Sequence, residues 1–193
     1  MNKIDRDKFF FLYSNQYKLT DEKRSSIEQI LSFLEADERV TDFRHAAYML
    51  ATVKRECGDE WKPIREYSRG KGLKYGKPDP VTGKVYYGRG YVQLTWKDNY
   101  KTMGDVLKVD LVNNPDLALD AKIAYRIMSY GMRNGSFTGV GLKRYIHDDV
   151  CDFKNARRII NGTDVADLIA GFATNILACL EGAKEEAHET VSA

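Results

Sequence analysis

Tyr86-Tyr87-Gly88-Arg89-Gly90-Tyr91-Val92-Gln93-Leu94-Thr95-Trp96 is neither a helix nor a regular strand by pattern. Its aromatic and β-branched residues favour extended backbone, but the glycines on either side of Arg89 interrupt any alternation. The run therefore predicts irregular extended structure. Gly88-Arg89-Gly90, like Gly70-Lys71-Gly72, completes neither a dinucleotide-binding nor a Walker pattern in a strand-to-helix setting, which sets a phosphate loop aside.

Upstream of this run, residues 58 to 85 are rich in Gly, Pro, Lys, Arg and Tyr, with turn signals at Lys77-Pro78-Asp79-Pro80 and Thr82-Gly83. They predict a long loop region with room for a small hairpin. Loops of this length in compact domains are usually functional or disordered, and the Tyr and Trp content argues against disorder. Earlier still, residues 5 to 14 suit a short helix, and Thr20 and Asp21 offer cap chemistry for a second carrying Ile27, Ile30, Leu31 and Leu34. A third, from about Asp42 to Glu56, carries Phe43, Ala46, Ala47, Leu50 and Val53 and stops near Gly58. Downstream, Pro115-Asp116 opens a helix to about Met132, followed by shorter ones over Val140–Ile146 and Phe153–Ile160. A final helix begins at Thr163 or Asp164, with Val165, Leu168, Ile169, Phe172, Ile176 and Leu180 as its buried stripe. Asn161-Gly162-Thr163 ends one helix and caps the next, and His147-Asp148-Asp149 makes a polar turn. The chain reads as mainly α, with no internal repeat.

Two carboxylates flank the basic loop: Glu56 at the end of an apolar helix and Glu66 after Pro63-Ile64-Arg65. Hydrolysis of a glycosidic bond needs a protonated acid on one side of the bond and a carboxylate on the other. Burial at the helix end would raise the pKa of Glu56 and keep it protonated. Glu66, in a polar loop beside Arg65 and Arg69, would stay ionised and serve as base.

Around this pair lie Ala47-Tyr48-Met49-Leu50-Ala51-Thr52, Pro63-Ile64-Arg65-Glu66-Tyr67, the Tyr86–Trp96 run, Asn113-Asn114-Pro115-Asp116-Leu117 and Ile159-Ile160-Asn161-Gly162. In that order they resemble glycoside hydrolase family 19, the family of plant and bacterial chitinases and of many phage endolysins. The resemblance implies a lysozyme-like, two-lobed helical fold with a central cleft and a small extended or hairpin region, and an inverting mechanism. It aligns Glu56 with the general acid, Glu66 with the general base and Thr95 with the hydroxyl that helps hold the attacking water. Gln93, Asn99 and Asn161 match polar residues lining the sugar cleft; Tyr87 and Trp96 fall in the same block, with core or cleft-wall packing as the alternative. The chain departs from the family at Arg55-Glu56-Cys57, where His-Glu-Thr is common, and at Asp98, where plant members carry an aromatic residue. Neighbours on a helix point about 100° apart, so Arg55 is expected to face away from Glu56.

Length fits one catalytic domain over 1–193: a helical lobe portion at 1–40, the family-like core at 41–180, and a frayed tail at 181–193. The net charge of +2 excludes a dedicated nucleic-acid binder. Residues 54 to 101 nevertheless hold twelve Lys and Arg against six Asp and Glu, which suits an anionic polymer or a solvated loop face. Cys57, Cys151 and Cys179 form neither a disulfide framework nor a zinc pattern, and the three histidines are scattered, so no metal or cofactor is expected. Phe9-Phe10-Phe11-Leu12 is too short for a signal-peptide core or a membrane span, which predicts a cytoplasmic monomer in the host bacterium until release to the wall. Similarity of Pro63–Gly70 to phage members, with the basic segment, favours peptidoglycan glycan strands over chitin. On that branch a holin or other membrane permeabiliser would gate activity. An inactive glycan-binding protein of lysozyme-like fold is the alternative from another class.

Overall fold

The computed structural model describes residues 3–185. Six α-helices dominate: α1 (Arg6–Ser14), α2 (Asp21–Ala36), α3 (Phe43–Glu56), α4 (Lys97–Leu107), α5 (Ala121–Asn134) and α6 (Ala166–Gly182). Strands are two residues long: β1 (Ile64–Arg65) pairs antiparallel with β2 (Arg89–Gly90), and β3 (Ile146–His147) with β4 (Val150–Cys151). Among the described residues no helix is long and apolar enough to cross a membrane.

The first three helices begin where cap chemistry predicts. Asp5, Thr20 and Asp42 each accept a backbone N–H of the following turn, from Lys8, Lys23 and Arg44. Every residue of α3 from His45 to Lys54 is buried, the pattern of a helix surrounded by protein on all sides. α3 packs chiefly along α6, and α6 in turn on α1. The two ends of the described chain are tied together: Ile4 bridges Lys184, Asp5 N–H donates to the Ala183 carbonyl at 2.8 Å, and Glu185 N–H donates to Lys3 at 3.0 Å. Residues 183–185, within the expected frayed tail, are therefore tied down, and residues 186–193 lie outside the described residues.

Several expectations are corrected. α4 was not foreseen: its N-cap is Trp96, which makes no side-chain cap bond. The helix expected from Pro115 to Met132 is a 3₁₀ turn, Pro115–Leu119, followed by α5, because Asp120 accepts the Ile123 N–H and starts a new helix. The stretches near Val140–Ile146 and Phe153–Ile160 shrink to 3₁₀ turns at Leu142–Arg144 and Asn155–Ile159. α6 begins at Ala166 without a side-chain cap, so Thr163 does not cap it; Val165 and Leu168 are exposed, while Ile169, Ala173, Ile176 and Leu180 are buried. No hairpin forms within the 58–85 loop; β1 reaches forward to β2 instead, and the polar turn at Asp148-Asp149 joins β3 to β4. All three cysteines are free, and only Cys151 is exposed.

Candidate active site

Three segments converge at the C-terminal end of α3. Cys57, buried just past the helix, directs its thiol at the carbonyls of Gly90 and Tyr91 (3.9 and 3.8 Å), placing the helix end against β2. Gln93, in the turn after β2, donates from Nε2 to the Gly90 carbonyl (3.0 Å) and across to the Ile64 carbonyl (3.2 Å). The helix end, β1 with Glu66, and the Gln93 turn are thus one assembly.

Glu66 is the most thoroughly held of the predicted residues. Its N–H donates to the Gly88 carbonyl at 2.7 Å, and Gly88 N–H returns a bond to Oε2 at 3.0 Å. Oε1 accepts from the Ser68 hydroxyl at 2.8 Å and the Tyr75 hydroxyl at 3.0 Å. Burial pushes this carboxyl up, but the bonds from Gly88, Ser68, Tyr75 and Gly70 outweigh it and hold the group below its usual range. What favours the carboxylate form is thus this set of bonds and not the proximity of arginine that was expected: Arg65 turns instead to Asp116 at 2.8 Å. A Cβ on Gly88 would sit 2.8 Å from Gln93 Oε1 and 3.2 Å from Glu66 Cβ, so only glycine lets these side chains meet here.

Glu56 lies half-buried at the last residue of α3, and Arg55 beside it is exposed, as its helical offset implied. What surrounds Glu56 is not the apolar pocket expected from sequence. Its Oε1 accepts from Arg157 Nη1 at 2.7 Å, and Arg157 is itself buried and linked to Asp164. Sequence reasoning missed Arg157, as it missed Tyr75 and Ser68. Such a partly buried ion pair fixes position, because removing Glu56 would strand the buried Arg157 charge. Asn161 follows one turn later, exposed, its N–H on the Arg157 carbonyl at 3.1 Å.

The remaining predicted residues divide. The Thr95 hydroxyl makes no hydrogen bond with the described residues, while the Thr95 carbonyl accepts from Asn99 Nδ2 at 2.9 Å, so the Asn99 amide is committed to its own helix start. Gln93 and Trp96 bracket Thr95 with positive φ angles of 52° and 71°, uncommon for non-glycine residues and typical of functional turns. Trp96 is 46% exposed and meets Tyr75 edge-on at 5.4 Å. Tyr87 packs against Arg89. The Arg89 guanidinium lies 3.6 Å over its ring, and Arg89 also bonds Asp116, the Val85 and Tyr87 carbonyls and the Tyr100 hydroxyl. The Gly-Arg-Gly centre of the diagnostic run is thus a scaffold that ties the turn to Asp116.

Comparison with known proteins agrees with this frame. Residues 66–136 match the glycoside hydrolase family 19 model, described as class I chitinase. The chain is 40% identical over 99 residues to chitinase 3 of Oryza sativa subsp. japonica, covering 43% of this chain and 31% of that one. It is 51% identical over 82 residues to an acidic endochitinase of Petunia hybrida, covering 42% and 32%. A Hevea brasiliensis protein named inactive chitinase-like protein 1 matches at 47% over 57 residues, covering 27% of this chain and 18% of that one. The matches thus span no more than about a third of these relatives. In fold, chitinase C of Streptomyces griseus superposes with a TM-score of 0.58 at 23% identity, covering 92% of both chains. A class IV chitinase of Zea mays gives 0.54 at 20% identity, covering 90% of both. The mainly helical architecture is that of family 19 chitinases, whose fold is lysozyme-like.

Proposed function

We propose that this chain is an inverting glycoside hydrolase that cuts β-1,4 bonds of a polymer containing N-acetylglucosamine, with Glu56 as acid and Glu66 as base. The observation that carries the proposal is the unequal treatment of the two carboxylates. The Glu66 carboxylate is met by three convergent donors, from Gly88, Ser68 and Tyr75, which favour the ionised form a base needs. Glu56 is held through one oxygen by Arg157, and its Oε2 makes no bond with the described residues. In the mechanism proposed, Glu56 takes up a proton on its free Oε2 while Arg157 stays on Oε1, and gives that proton to the leaving oxygen as Glu66 takes one from a water attacking the opposite face of the sugar. Arg157 keeps the Glu56 carboxyl in place through the cycle. The unpaired Thr95 hydroxyl steadies the water, and Gln93, Trp96 and Asn161 contact the glycan.

The names of the relatives support chitin as the reference substrate ahead of peptidoglycan. The basic 54–101 segment supports peptidoglycan as the second reading, in which a membrane permeabiliser would have to admit the enzyme to the wall.

Glu56→Gln and Glu66→Gln test the proposal on an N-acetylglucosamine hexamer. Each is expected to keep the fold, checked by circular dichroism, and to lose ~10²–10⁴-fold in kcat. Proton NMR in the first minutes should show the α-anomer as the new reducing end. Early β-anomer would rule out inversion, and a wild-type chain that binds but never cuts would favour the inactive glycan binder.

A further inference from the structure

A pocket of about 350 Å³ opens between the 74–80 loop and the start of α4, with Lys74, Tyr75, Lys77, Asp79, Tyr86 and Trp96 among its walls. Trp96 supplies an exposed indole from a backbone at φ 71°, ψ 135°, a region that favours glycine. A large apolar side chain held open to solvent by a strained backbone needs a functional reason. The Tyr75 ring packs against that indole, and its hydroxyl donates to Glu66 Oε1. Trp96 is thereby linked to the proposed base through a single residue, Tyr75.

The opposite wall is stiff. Asp79 accepts Lys97 Nζ on both oxygens at 2.9 Å and takes the N–H groups of Val81 and Thr82. Lys97 is thereby neutralised. Lys74 and Lys77 are exposed on the rim, and neither ammonium makes an ion pair or hydrogen bond with the described residues. The pocket thus combines an aromatic platform with two uncommitted cations.

We infer that this pocket is a subsite for a sugar that carries a carboxylate, with Trp96 and Tyr75 taking the apolar face of the ring and Lys74 and Lys77 selecting the charge. The assignment rests on the hydrolase proposal and deepens its substrate class. The ligand is an N-acetylated β-1,4 glycan bearing carboxylates, either on a lactyl ether of the sugar or on a short peptide attached to it. A neutral polymer would use the platform without the lysines. Exposed charge pairs are screened by salt, so the preference should weaken as ionic strength rises.

The test compares wild type with the Lys74→Gln/Lys77→Gln double variant on three glycans: the neutral N-acetylglucosamine hexamer, peptidoglycan strands stripped of peptide, and peptide-bearing fragments. The ratio of kcat/KM for anionic over neutral glycan should fall about three- to tenfold in the variant, through KM, as two exposed pairs allow. Added salt should lower the ratio for wild type and leave the variant flat. A fall on stripped strands assigns the lactyl carboxylate, and a fall confined to peptide-bearing fragments assigns the peptide. An unchanged ratio overturns the subsite. If wild type cuts none of the three, the hydrolase proposal fails by itself. The subsite is then judged by titrating stripped strands and peptide-bearing fragments while following indole fluorescence, with Trp96→Phe as control. Salt-sensitive quenching that needs Trp96 and weakens in the double variant upholds it, and its absence with both glycans overturns it.

Discussion

From His45 to Lys54 every residue of α3 is buried, whereas between 58 and 85 only Trp61 and Gly70 are. The helix is held by apolar area, which is non-directional and shared among many neighbours. The loop is held by a few directed bonds converging on Glu66, Arg89 and Asp79. Loss of area lowers the stability of the whole domain, while loss of one directed bond moves one group by a fraction of an ångström, and catalysis is sensitive to displacements of that size. Stability and activity should therefore separate by region, and four substitutions probe how cleanly they do.

The largest effect on stability belongs to the helical region. Leu50→Ala, at a fully buried position in α3, is expected to cost about 2–5 kcal/mol in urea unfolding. At temperatures where the variant is folded, its kcat should stay close to that of the parent. A collapse in kcat without loss of stability would show that α3 tunes the site rather than merely carrying it.

Gly88→Ala reverses the emphasis. The added methyl crowds Gln93 and Glu66, which should cost about 1–3 kcal/mol. Turnover should fall at least about tenfold, because the displaced group is the proposed base. Normal kcat in a destabilised Gly88→Ala protein would remove Glu66 from the mechanism.

A smaller, pH-dependent effect sits in the helical region at buried Asp37. Burial pushes its carboxyl up, but bonds from Ser129 (2.6 Å) and Arg39 (2.8 Å) prevail and hold it below the usual range. The unfolded chain therefore takes up a proton first as pH falls. The stabilisation is complete above about pH 4 and is lost as pH drops through the folded-state value. Asp37→Asn should be less stable at neutral pH, with the gap to the parent closing in acid, as followed by thermal melts across pH. A gap independent of pH would mean that the carboxylate charge is immaterial.

Asn99→Ala should be the mildest, about 0.5–1.5 kcal/mol for the bond to the Thr95 carbonyl. If KM for the hexamer rose severalfold while stability hardly changed, Asn99 would be a sugar contact after all, as the family resemblance implied.

The helical region was also the legible one. Thr20 announces its helix because a cap is a local event, written within three residues, and the structure shows that Asp5 and Asp42 cap theirs in the same way. α4 gives no such sign, since Trp96 caps it with strained backbone and no side-chain bond. Asp120 restarts a helix in a stretch where Pro115 had already supplied a start signal, so one continuous element was expected where there are two. At the proposed site, residue type and place single out Glu56 and Glu66 as candidates. Arg157 was not: it is 101 residues from Glu56, and nothing in Asn155-Ala156-Arg157-Arg158 says which arginine turns inward. The support of Glu66 was hidden in the same way, because Tyr75 sits in a loop whose path no periodicity encodes.

The pairing of the chain ends on each other, together with the cover of α3 by α6, has a consequence for the order of assembly. α6 begins about a hundred residues after α3 ends, so on the ribosome the helix that is buried without a break from His45 to Lys54 emerges long before its cover exists. Contacts that close so large a loop form late and slowly, and until then α3 is an adhesive surface. The domain should thus accumulate few intermediates that are both compact and soluble. Release of a chain stopped before residue 166 should yield aggregate or a chaperone client rather than a smaller folded unit.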